Sequence, residues 1–213
     1  MQLTRRTLFF IALVSVLLLQ QIPWLMLPLK WFETYFHEVS HALVTLLTGG
    51  SVVNISLNID GSGLCLSQGG SQFLIALSGY LGACGFAVLF AKLALKAKQW
   101  VLHLLTVLIF LTLLFWVSDL ISVLIIGLIL AVLYFTNRYL TAPWRRFIML
   151  ALAINMALNA IKSPFYLLAS NTKGDATALA NLTLIHEYIW IFFWISVGLY
   201  SLYWIGRGLY AKG

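Results

Sequence analysis

The sequence predicts an all-α polytopic membrane protein of about six to seven transmembrane or re-entrant helices, with one short membrane-associated β-hairpin. Three observations predict it. Of the 213 residues 62% are hydrophobic and only 9% charged, with a mean hydropathy of +0.98. A water-facing surface on a chain of this size needs roughly a quarter charged residues, so an ordinary soluble globule is excluded. Apolar runs of the length needed to cross a bilayer core, about 20 residues each, recur along the chain. The net charge of +7 comes from short basic clusters between those runs. Arg5 and Arg6, then Lys92, Lys96 and Lys98, then Arg138, Arg145 and Arg146, then Arg207 and Lys212 mark orientation in a membrane rather than a face for nucleic acid.

The first run, 7–29, is too long for a signal peptide and has no small-residue cleavage site, so it is read as a retained helix. The second, 31–48, has helical texture but contains Glu33, His37, Glu38 and His41, and Gly49 and Gly50 stop it. Runs 71–95, 100–117, 120–136, 147–168 and 182–206 read as further spanning helices. Between the second and third runs the texture changes. SVVNISL alternates branched with small polar residues, NIDGSG contains an Asp-Gly turn, and LCL follows, so 51–66 is predicted to form a β-hairpin. An open strand edge is intolerable in lipid, which places this hairpin at the interface or under protein cover. The whole chain, 1–213, is read as one integral-membrane domain. Cys65 and Cys84 form no CxxC pair and read as small apolar residues.

The chemistry concentrates in His37-Glu38-Val39-Ser40-His41, an HExxH. Residues i and i+4 share a helix face, so both imidazoles can meet one metal ion, and the intervening glutamate can take a proton from water activated there. A shuffled chain of this composition would hold only about 0.001 copies of the motif. Ionisable residues inside an apolar segment are costly and functional by default. Catalytic zinc usually takes three protein ligands. Val44 and Leu47 stand where an extended metzincin pattern requires glycine and histidine. The remaining candidates are Asp60, His103, Asp119, Asp175, His186 and Glu187. Asp60 is also explained by its turn and Asp175 by an N-cap. His103 and Asp119 look interfacial, and His186 and Glu187 sit beside Trp190 and Trp194, an interfacial belt.

Phe36-His37-Glu38-Val39-Ser40-His41-Ala42-Leu43, Leu47-Thr48-Gly49-Gly50, Ser78-Gly79-Tyr80-Leu81-Gly82 and Gly174-Asp175-Ala176 together resemble the site-2-protease superfamily of intramembrane zinc metallopeptidases. The closest resemblance is to its small bacterial and plant branch without a PDZ domain. The resemblance implies one zinc ion bound by His37 and His41, with Glu38 as catalytic base. It also implies an aspartate ligand from the later helices (147–206), which maps best onto Asp175. The family's hairpin covers the site and holds an extended substrate. Better-known members carry Asn-Pro-Asp-Gly or Leu-Asp-Gly around the aspartate, where this chain has Lys-Gly-Asp-Ala. Their Gly-Pro and asparagine in the third helix appear here as Gly82-Ala83 with no asparagine following. Asn155 and Asn159, one turn apart, are read either as a substrate-binding polar face or as interhelical hydrogen-bond formers.

The expected function is intramembrane hydrolysis of peptide bonds in or near transmembrane segments of membrane-protein or membrane-peptide substrates. A multi-pass protein of a bacterial plasma membrane is expected, in contact with lipid and with no nucleic-acid partner. The alternative from another class is a non-catalytic membrane protein, a lapsed protease or metal-binding scaffold that binds partner helices.

Overall fold

The computed structural model describes residues 4–96, 99–169 and 174–208; Lys98, Asn171, Thr172, Lys173 and Lys212 lie outside them. The elements in chain order are α1 (Arg5–Leu19), α2 (Pro23–Leu47), β1 (Ser51–Leu57), β2 (Gly63–Gln68), α3 (Gln72–Lys96), α4 (Gln99–Trp116), α5 (Leu120–Arg138), α6 (Ala142–Ala169), α7 (Asp175–Thr183) and α8 (Glu187–Gly208). Helices α3, α5, α6 and α8 are long and apolar enough to cross a membrane, and α1 with α2 forms a fifth such unit bent by 116°. The protein is a multi-pass integral membrane protein.

Helix α6 starts at Ala142, five residues before the run read from 147, and two apolar runs are divided where the sequence reading had them continuous or broken elsewhere. The first apolar run breaks after Leu19, not at residue 30, and α2 then continues unbroken through Lys30 to Leu47. Pro23 explains the restart, because at the first helical position its missing N–H has no partner to lose. Pro28 is absorbed in the second turn of α2 with the loss of one intrahelical hydrogen bond. The last run is likewise divided. Leu184 turns into the left-handed region at φ 61° and closes α7 through its N–H to the Ala180 carbonyl (2.8 Å), so that α8 starts only at Glu187. Such caps usually carry glycine, and leucine left no such sign.

Helices of this composition are apolar on every side, so small residues decide where backbones meet. Helices α3 and α6 form the centre: Ala83, Ala87, Ala91 and Ala94 of α3 and Ala153, Ala157 and Ala160 of α6 are all buried. Helix α3 also packs on α2 and α8, and α6 on α1 and α8. Phe32 and Phe36 of α2 meet Phe86 and Phe90 of α3 with ring centroids 4.6–5.3 Å apart, within the favoured range for aromatic pairs. Tyr35 is buried with its hydroxyl satisfied by Thr112 at 3.0 Å.

The hairpin is fastened on three sides. At its tip, Lys30 Nζ, Trp31 Nε1 and Thr34 Oγ1 of α2 donate to the carbonyls of Asp60, Asn58 and Gly61 at 2.8, 3.0 and 2.8 Å. Gly61 takes φ +83° in that turn, a conformation glycine adopts without penalty. The outer edge of β1 is covered by α5, where Ser122 Oγ accepts from Leu57 N–H at 2.7 Å, and Ser118 donates to Asn54 at 2.9 Å just before that helix. At the base, Ser71 N–H donates to Thr48 Oγ1 (3.0 Å). The strands pair antiparallel, Ile55 opposite Cys65, with an irregularity between Val52 and Asn54. The outer edge of β2 faces an open groove.

Candidate metal centre

Helix α2 places His37 and His41 on one face, and α7 brings Asp175 to them from 134 residues further along. His37 Nε2 lies 3.1 Å from His41 Nε2 and 3.1 Å from Asp175 Oδ2, and the His41–Asp175 pair lies at 3.3 Å. Ligand atoms held tetrahedrally at zinc distances of about 2.0–2.1 Å stand roughly 3.3–3.4 Å apart, so this triangle fits three protein ligands with one position left open. The donor set also fits, two imidazoles and one carboxylate. His41 Nδ1 donates to the Ile75 carbonyl at 2.7 Å, which leaves the Nε2 lone pair pointing into the triangle.

Glycines of α3 make room for this. A Cβ on Gly79 would sit 2.4 Å from His37 Nε2 and 2.6 Å from His41 Nε2, and one on Gly82 would sit 2.0 Å from Ser40 Oγ. The Ser-Gly-Tyr-Leu-Gly segment therefore lets α3 close directly onto the face of the HExxH helix. Tyr80 completes that wall, its ring edge-on to His37 with centroids 4.6 Å apart. Tyr80 in turn rests on Trp194 of α8.

Asp175 opens α7 but is not its cap, since Gly174 holds that position. The other candidate groups are used elsewhere. Asp60 Oδ1 accepts from the Ser62 N–H and hydroxyl (2.9 and 2.7 Å), which hold its carboxyl below the usual range. Asp119 caps α5 through Ser122, whose hydroxyl and backbone N–H hold that carboxyl low as well. Glu187 accepts from Thr177 at 3.2 Å, and His103 and His186 are exposed away from the triangle. Burial pushes the Cys65 thiol up to about 12, which keeps it protonated. Asn155 is fully buried and donates to the Leu29 carbonyl (3.0 Å), an interhelical hydrogen bond. Asn159 lies on the far side of His37, where it meets Glu33 at 3.5 Å. The sequence reading notes Glu33 among the polar residues of the second run but gives it no role, although Glu33, His37 and His41 at four-residue intervals mark one helix face.

Glu38 is buried beside the triangle but outside it, and the backbone N–H of Cys65 faces its carboxylate. The phase of β2 follows from its pairing: Asn58 N–H bonds to the Ser62 carbonyl across the hairpin and Leu57 N–H turns outward to Ser122, so the backbone groups of Gly63, Cys65 and Ser67 point away from β1 and the alternate ones toward it. These three residues line the groove, about 610 Å³, which has β2 as one wall and the Asp175, Ala178, Asn181 and Leu182 face of α7 as the other.

The Peptidase M50B-like family matches residues 10–205. The chain belongs to that family. Membership in the M50B-like family suggests a protease-type function within the membrane, and the match spans the HExxH helix, the hairpin and Asp175 alike. Neither a curated protein nor a solved structure matches the chain.

Proposed function

We propose that this M50B-like protein is an intramembrane zinc endopeptidase acting in or near transmembrane segments of membrane-protein substrates. The observation that carries the reading is the convergence of His37, His41 and Asp175 beside Glu38, at the floor of a groove with an open strand edge. His37, His41 and Asp175 would hold the zinc ion, which when bound would supply activation of water near neutral pH and polarisation of the carbonyl under attack. Glu38 accepts the proton released as water adds to that carbonyl, and returns it to the amine nitrogen as the C–N bond breaks. The Cys65 N–H faces the Glu38 carboxylate from β2.

Carbonyls in a transmembrane helix are bonded within the helix and shielded. An extended segment added along Gly63, Cys65 and Ser67 exchanges those bonds for bonds to β2 and presents one carbonyl to the site. The test uses purified protein in detergent with a synthetic transmembrane peptide. Cleavage at a defined bond, abolished by a chelator and restored by zinc, is expected. An intact peptide after incubation with protein carrying one bound zinc would reject the proposal.

Gly79→Ala gives an independent check on the packing argument. The added methyl group displaces both imidazoles, so zinc affinity is expected to fall at least about tenfold, the scale at which disturbing ligand orientation acts. Competition against a chelating dye measures it.

A further inference from the structure

A second cavity, about 580 Å³, opens on the other side of His37 and Glu38, between the α1–α2 corner, the hairpin tip and α6. It shares His37, Glu38, Gly63 and Tyr80 with the groove. The hairpin runs along both: its residues from Gly69 back to Gly63 line the groove, and those from Gly63 back to Asp60 line the second cavity. The two cavities therefore adjoin, on either side of His37 and Glu38.

Their chemistry differs. The groove has the exposed Leu64 and Leu182 on its opposite walls, with Ser67, Gln72 and Asn181 among its polar lining and, among the described residues, no lysine or arginine. The second cavity contains Lys30, Glu33, Asn159 and Lys162. Both lysines are engaged at its rim, Lys30 with the Asp60 carbonyl and Lys162 with the Gln20 side chain. Glu33 is only 5% exposed, and its hydrogen bond from Asn159 is long at 3.5 Å. Lys30, the lysine nearest to it on α2, gives its ammonium to the Asp60 carbonyl instead. A buried carboxylate so placed is stabilised most by an arriving cation that hydrogen-bonds to it.

We propose that the second cavity is a substrate subsite for a lysine or arginine side chain flanking the scissile bond, with Glu33 as its specificity-determining residue. This rests on the hydrolytic reading above. The substrate class follows from the adjoining cavities: a transmembrane segment whose scissile bond lies at the groove and whose flanking basic residue enters the second cavity. That order is found where a transmembrane segment meets its basic cytoplasmic flank.

The test measures binding of a fluorescent transmembrane peptide to the Glu38→Gln protein, comparing a peptide with lysine in the flank against the same peptide with glutamine. The lysine peptide is expected to bind about tenfold more tightly, on the scale of one charge-assisted contact. That preference disappears in Glu33→Gln, and Glu33→Lys prefers a glutamate peptide. Separately, Ser163→Cys in this cavity, with Cys65 replaced by serine, is expected to form a disulfide with a peptide carrying cysteine at the lysine position. Equal binding of the two peptides, a preference that survives Glu33→Gln, or absence of the disulfide overturns the subsite and leaves the groove reading standing. Failure of every peptide to bind removes both.

Discussion

Glu38→Gln is expected to lower peptide cleavage by about 10²–10⁴-fold, the usual contribution of a positioned general base, with zinc content unchanged. Glutamine has the shape of glutamate and keeps an oxygen toward the Cys65 N–H, so the contact between α2 and β2 survives. It cannot accept the proton of the attacking water. The ligand triangle is built from His37, His41 and Asp175 without Glu38, so the metal stays. Metal analysis and peptide cleavage on one preparation separate the two roles. Loss of zinc in this variant would move Glu38 from base to ligand. Full cleavage with zinc retained would remove it from the mechanism.

How much of this was legible in the sequence follows from which contacts are local. His37 and His41 are one turn apart, and helix geometry alone brings them together. The hairpin was legible because Asp60-Gly61 encodes its own turn, and its observed strands differ from the reading only in that β2 runs on to Gln68. The corner between α1 and α2 was not legible, because hydropathy records apolar length and not direction. The left-handed Leu184 was equally silent. Asp175 reached the site through family resemblance, since nothing in its neighbourhood announces a partner 138 residues away. The two asparagines show the same limit. Asn155 and Asn159 share a face of α6, yet one satisfies a carbonyl of α2 and the other meets Glu33, a difference that depends on where α2 crosses.

Asp175→Ala is expected to lower zinc affinity by more than the roughly 10–100-fold that follows loss of a group supporting a ligand indirectly. Cleavage should fall in parallel and recover partly at high zinc. The fold has reason to survive the change. Helix α7 is anchored by Ala176 and Leu179, both buried against α3 and α8, so it keeps its place although the metal-free protein loses the Asp175 contacts to His37 and His41. The metal-free variant should still unfold in one cooperative transition, at a somewhat lower temperature because two imidazoles lose their carboxylate partner, which distinguishes ligand loss from misfolding. Asp175→Asn keeps an oxygen in place without the charge and should fall between the two. Unchanged affinity in Asp175→Ala would leave two imidazoles with only Glu33 or Glu38 near enough to complete the set, because Asp60, Asp119 and Glu187 are held by Ser62, Ser122 and Thr177. Glu38 as a ligand would then require Glu38→Gln to lose zinc. The two substitutions thus constrain each other, and the proposed division of labour survives only if Asp175 governs the metal and Glu38 governs turnover.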